Sequence, residues 1–193
     1  VNLTMKEGHY SWSNQSFRSF DSTVVEIITN QGISGFGEIC PLGPSYLPSY
    51  SEGVRVGIKK LSEILLGKDP SNINNINFLM DNALKGHPYV KSAVDIACWD
   101  ILGKKTNIPV YTLLGGKLQS KVKLFKVISR DIPEIMQEKV NEYQEQGYQQ
   151  FQMKVGAEPT VDISRIKLVS KNLKAGNILG ADANCGWKQH DAI

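Results

Sequence analysis

Cysteine is scarce, and what there is does not pair. Cys40, Cys98 and Cys185 are odd in number and far apart in the 193 residues, which excludes both a disulfide framework and the close Cys/His spacing of a zinc site. No stretch approaches the ~18 consecutive apolar residues of a membrane span. The opening Val1-Asn2-Leu3-Thr4-Met5-Lys6 lacks the layout of a signal peptide. Two Asn-x-Ser/Thr triplets, at Asn2 and Asn14, would matter only on a secretory route. Nor is there a block of one charge. The formal charge of +3 is spread along the chain, so no nucleic acid and no membrane is expected as a partner. Gly35 and Gly37 are followed by no helix and so do not cradle a phosphate. These absences leave a reduced, cytoplasmic globular protein, and a hydrophobic content of 41% lets it bury a real core.

What is present has an order. Ser22–Thr29 is rich in β-branched residues, Asn30-Gln31-Gly32 reads as a turn, and Ile33–Ile39 returns, which together predict a β-hairpin. A Pro/Gly/Ser/Tyr loop follows over Cys40–Tyr50. Ser51 reads as the N-cap of a helix carrying Val54, Ile58, Leu61 and Leu65, stopped by Gly67. Further helices are expected over Ile73–Leu84 and Tyr89–Lys104, the latter turning Ala93, Ile96, Ala97 and Ile101 inward. From Lys121 the pattern changes. Val122–Ile128, Phe151–Val155 and Ile178–Ala181 read as strands separated by helices over Ile132–Gln146 and Val161–Leu173, the signature of parallel βαβ units. The fold class expected is an α+β domain over residues 1–116, then the first strands and helices of a (β/α) barrel over 117–193. That second stretch is far short of the about 250 residues of a closed barrel, so a truncated barrel is expected.

Two strand ends carry the candidate chemistry. Along Gln150–Gly156, Phe151, Met153 and Val155 share one face, while Gln150, Gln152 and Lys154 share the other. A polar face ending in lysine suits either a barrel mouth or a solvated strand end. Asp182 and Asn184 lie two apart at the end of the next strand, where a carboxylate and an amide suit a hard divalent cation or a polar substrate. They equally suit the N-cap of a helix over Trp187–Ile193.

Taken in order, these segments resemble the mandelate racemase/muconate lactonizing enzyme family of the enolase superfamily. The residues that carry the resemblance are Asp21–Val25 with Gly35-Phe36-Gly37-Glu38, Lys91–Asp100, Pro109–Gly116 with its Leu-Leu-Gly-Gly, Phe151–Gly156, and Ala181–Asn184. The resemblance implies an N-terminal capping domain and a barrel that binds Mg²⁺ against a substrate carboxylate while a lysine removes the α-proton, an enolase-superfamily scheme. It implies Lys154 as the base, Asp182 as the first metal ligand, and Asn184 beside the metal or the substrate. Gln152 stands where the family commonly has a second lysine, and is expected to contact substrate. The remaining acidic ligands and the opposing acid/base are absent from this chain, so by itself it is expected to be inactive and to hold Mg²⁺ weakly or not at all.

The substrate implied is a small carboxylate. The segments corresponding to the family's closing loops, Glu7–Phe20 and Cys40–Tyr50, are aromatic and small-polar, with no evident Arg/Lys cluster for a second acidic group. Together with Gln152, the Cys40–Pro48 loop resembles relatives acting on hydroxyprolines or proline betaines. Epimerisation or dehydration of a cyclic amino acid is therefore expected, with Tyr46 and Trp12 facing its nitrogen by cation–π contact. The alternatives are a dipeptide epimerase or acid-sugar dehydratase of the same family, or a product that keeps the fold without catalysis. A homo-oligomer is expected.

Overall fold

The computed structural model describes residues 1–13 and 15–193; Asn14, which begins the second Asn-x-Ser/Thr triplet, lies outside the described residues. The chain begins with short strands β1 (Asn2–Thr4), β2 (Tyr10–Trp12), β3 (Gln15–Phe17) and β4 (Ser19–Asp21), β1 pairing with β4 and β2 with β3. Strands β5 (Thr23–Ile28) and β6 (Ser34–Ile39) and helices α1 (Ser51–Leu65), α2 (Ile73–Ala83), α3 (Pro88–Thr106) and α4 (Val110–Leu113) follow. The remainder alternates as β7 (Phe125–Ile128), α5 (Pro133–Glu145), β8 (Gln150–Lys154), α6 (Pro159–Lys171), β9 (Ile178–Asp182) and α7 (Gln189–Ala192). No helix among the described residues is long and apolar enough to cross a membrane.

Two compact units result, Val1–Leu3 with Phe20–Ser120, and Thr4–Ser19 with Lys121–Ile193. In the first, β5 and β6 form the expected antiparallel hairpin, Thr23 opposite Ile39. Helix α3 lies on β6 at backbone contact, which is what the two glycines are for. A Cβ on Gly37 would collide with the Ala93 carbonyl, and one on Gly35 with the Ala97 carbonyl. Leu61, Ile76, Met80, Val90, Val94 and Cys98 form the core. Ile96 is 48% exposed, contrary to expectation; Val90, Val94 and Cys98 complete the buried stripe of α3 with Ala93, Ala97 and Ile101. Ser51 is not the N-cap of α1. Tyr50 occupies that position with an extended backbone, and the Ser51 hydroxyl donates to the Asp21 carbonyl at 2.9 Å. Gly115 and Gly116 both take positive φ (108° and 100°), so the Gly-Gly pair ends α4 with a reversal that side chains resist.

In the second unit, β7, β8 and β9 form a parallel sheet in that order, with Lys154 in register with Asp182. One sheet face is apolar. Phe151, Met153 and Val155 pack with Met136, Val140 and Tyr143 of α5 and Val169 of α6. The β2–β3 hairpin, distant in sequence, belongs to this unit. Ser11 donates its N–H to Ser129 Oγ (2.7 Å), and its carbonyl accepts from Arg130 N–H (2.9 Å). Glu7 accepts from the Tyr143 hydroxyl (2.7 Å) and pairs with Lys126 (3.1 Å).

Candidate active site

The alternation along β8 sends Phe151 and Met153 into the core and leaves Gln152 and Lys154 on the opposite face. Lys154 is only 5% exposed. A buried ammonium needs a counter-charge, and β9 supplies it: Nζ donates to Asp182 Oδ2 at 2.7 Å. The register makes this local. Two side chains at paired positions of neighbouring parallel strands, both at the carboxyl ends, point the same way. Burial pulls the Lys154 pKa down, but hydrogen bonds to Asp182 and to the Tyr10 hydroxyl more than offset it, and the pKa is raised. Asp182 moves the other way. The Lys154 hydrogen bond and the Asn184 N–H (2.9 Å to Oδ1) outweigh its partial burial and lower its pKa.

Asn184 does not share a strand face with Asp182 as expected. The strand ends at Asp182, and Asn184 lies beyond it in the left-handed region (φ 44°), contributing its backbone N–H to the carboxylate. Neither residue caps the following helix, whose N-cap is Lys188. Trp12 is also placed differently from expectation. It is 2% exposed, stacked on Phe17 at 4.8 Å and 5.0 Å from the Tyr10 ring, so no open ring face is left for a substrate. Tyr46 belongs to the other unit, in the loop between β6 and α1, where it is 37% exposed.

Three residues of this site escaped the sequence reading. Tyr10 contacts Lys154 from the hairpin, and Ser13 anchors that hairpin, bonding to the Ala183 carbonyl through Oγ and to the Val155 carbonyl through N–H (3.3 Å). Asp162 is wholly buried at the start of α6. It accepts from Gly156 N–H and Ala157 N–H (both 2.9 Å), Trp187 Nε1 (3.0 Å) and Arg165 (2.7 Å). It thereby holds the turn immediately after Lys154 against the segment that follows Asp182. An acidic residue in the first turn of a helix was the available signal. Its partners could not be read from it.

A lysine and a carboxylate are thus paired at the carboxyl ends of neighbouring parallel strands, the end at which barrel enzymes carry their active sites. Residues 6–115 match the mandelate racemase/muconate lactonizing enzyme N-terminal domain, and residues 135–193 match the enolase C-terminal domain-like family. The chain belongs to the mandelate racemase/muconate lactonizing enzyme family of the enolase superfamily, with a capping unit followed by the first β/α repeats of the barrel.

It is 54% identical to a cis-3-hydroxy-L-proline dehydratase of Roseibium aggregatum, over 100% of this chain and 53% of that protein. It is 36% identical to an N-succinyl-L-Arg/Lys racemase of Bacillus cereus, over 90% of this chain and 47% of that protein. A crystal structure of a family member from Roseovarius nubinhibens ISM complexed with magnesium superposes with a TM-score of 0.91 at 33% identity, covering 100% of this chain and 53% of that one. The chain spans about half the length of the curated relatives it matches.

Magnesium is thus typical of the family. Among the described residues no group of three or more His, Cys, Asp or Glu gathers, so Asp182 fits one ligand position of a cation that takes about six oxygens.

Proposed function

We propose that this chain carries the proton-abstracting half-site of a Mg²⁺-dependent enzyme acting at the carbon α to a small-molecule carboxylate, and that the substrate is a proline-type amino acid. The observation that carries the reading is the 2.7 Å contact between Lys154 Nζ and Asp182 Oδ2 at paired strand ends. Lys154 is the base and Asp182 a metal ligand. Bound Mg²⁺ supplies charge stabilisation for the carboxylate of the deprotonated substrate.

While the ion pair is closed, Lys154 is protonated and can take no proton, and Asp182 is committed to it. Opening the pair frees the carboxylate for a cation and removes the main influence holding the lysine pKa up, leaving burial to lower it. Tyr10 then keeps the amine directed, and Gln152, on the same strand face, hydrogen-bonds the substrate. Trp12 acts through packing by supporting Tyr10.

The proline-type substrate is favoured by the 54% identity to a cis-3-hydroxy-L-proline dehydratase. Dehydration at Cα is therefore preferred over epimerisation. A homo-oligomer in the cytoplasm completes the reading.

The test is the complete gene product with Mg²⁺ in D₂O, supplied with hydroxyproline isomers, N-methylated prolines, dipeptides, N-succinyl amino acids and sugar acids. Loss of the α-proton signal from a hydroxyproline, abolished in Lys154→Ala, is expected. Turnover confined to dipeptides, N-succinyl amino acids or sugar acids ends the proline reading. No α-exchange with any of them ends the class.

A further inference from the structure

Arg18, Arg130 and Arg165 are far apart in the sequence, yet they line one cavity of about 420 Å³ in the second unit, together with His9, Ser11 and Asp131. The Glu7–Phe20 segment itself supplies only Arg18; Arg130 and Arg165 come from beyond β7 and from α6. Arg165 is already satisfied: it pairs with buried Asp162 (2.7 Å) and donates Nε–H to the Asp131 carbonyl (2.6 Å), which locks its guanidinium in place. Asp131 faces His9 at 3.6 Å.

The other two arginines make no ion pair among the described residues. Arg130 is held by its backbone, its N–H bonded to the Ser11 carbonyl, while its side-chain Nε is buried with no acceptor among the described residues. A buried charged donor without an acceptor is costly, so the Arg130 guanidinium is under-satisfied as it stands. Three arginines against Asp131 and Asp162 leave an excess of one positive charge, or two when His9 is protonated.

We propose that this cavity is an anion site for a phosphoryl group, carried by inorganic phosphate or by a small phosphate monoester. The uncommitted guanidiniums of Arg18 and Arg130, with the positive charge of Arg165 fixed beside them, offer more donors than a planar carboxylate needs, which one fork satisfies, and suit a tetrahedral oxyanion. The site is distinct from the Lys154–Asp182 pair and does not rest on the role given to that pair. Along β2 the side chains alternate: Tyr10 contacts Lys154, and Ser11 lines the anion cavity on the other face of the hairpin.

The anion joins His9 and Arg18, on the hairpin segment, to Arg130 and Arg165, on the β/α framework. Occupancy therefore fastens the strand that presents Tyr10 to the lysine. The cavity thus acts on the position of the hairpin against Lys154, whatever the role of that lysine.

The 193-residue chain is titrated with inorganic phosphate, and separately with glycerol 3-phosphate, at constant ionic strength balanced with chloride. Amide and arginine side-chain NMR shifts are followed together with hydrogen exchange over Tyr10–Phe17. Saturable shifts at His9, Ser11 and Arg130 are expected. At about ten times Kd, hairpin exchange should slow about tenfold by mass action. Arg130→Gln and the exposed Arg18→Gln should each weaken binding about tenfold or more, the loss of one charge-assisted contact. Tighter binding of the monoester identifies a phosphorylated small molecule as occupant, and equal or weaker binding identifies the free ion. Non-saturating shifts, binding unchanged in both variants, or shifts centred on Lys154 and Asp182 overturn the proposal.

Discussion

Removing the Asp162 carboxylate should be among the most damaging single changes in the second unit. In Asp162→Ala the Arg165 guanidinium stays buried without its counter-charge, and the N–H groups of Gly156, Ala157 and Trp187 lose their acceptor. Breaking a buried ion pair from one side costs about 3–5 kcal/mol, against a total stability of about 5–15 kcal/mol for a folded domain. At a urea slope of about 2 kcal/mol per molar, the midpoint falls by about 2 M. Urea unfolding followed by circular dichroism measures this, and the Trp187 indole NMR signal reports the local loss.

Asp162→Asn keeps an acceptor for the two backbone N–H groups and should lose less. Asp162→Ala with Arg165→Met should recover part of the loss, because the orphaned charge is gone. A loss under about 1 kcal/mol in Asp162→Ala, or no recovery in the double variant, would falsify the account of Asp162 as the buried hub of the site.

Other perturbations are equally direct. The Glu7 pKa is lowered, because the Tyr143 and Lys126 contacts outweigh burial. Its contribution is thus complete above the ordinary carboxylate pKa and is lost as pH falls through the lowered value, so the protection of Tyr10–Phe17 amides, relative to their intrinsic exchange rates, should fall on acidification and become less pH-dependent in Glu7→Gln. Gly37→Ala forces a Cβ onto the Ala93 carbonyl and should destabilise the first unit by about 1–3 kcal/mol, read as a lower urea midpoint, whereas the same change at Gly180, on β9 of the second unit and without close neighbours, should cost less. Lys154→Met removes the partner that lowers the Asp182 pKa, so carboxyl NMR should show Asp182 titrating at higher pH; in the complete enzyme turnover should fall about 10²–10⁴-fold.

Much of this molecule is written in local pattern. The β-branched run at 23–28, the alternation of Phe151, Met153 and Val155 against Gln152 and Lys154, and the paired glycines at 115 and 116 each declare their structure through chain geometry within a few residues. The position of Lys154 and Asp182 at matching strand ends followed from the same periodicity, because the parallel register carries a two-residue alternation from one strand to the next.

Other features depend on distance through space. Ile96 sits at helical spacing from buried neighbours yet faces solvent, since the close approach of Gly35 and Gly37 to Ala97 and Ala93 sets which stripe of α3 is covered. Asn184 leaves the strand because the chain turns left-handed after Asp182, which alternation does not foresee. Tyr10 against Lys154, Asp162 beneath the turn after Lys154, and Arg18 beside Arg130 and Arg165 are separated by many residues of chain. Their meeting is decided by where the β2–β3 hairpin lands on the β/α unit. Hydrogen bonds and buried charge settle that placement, and they act on atoms brought close by folding whatever their separation along the chain.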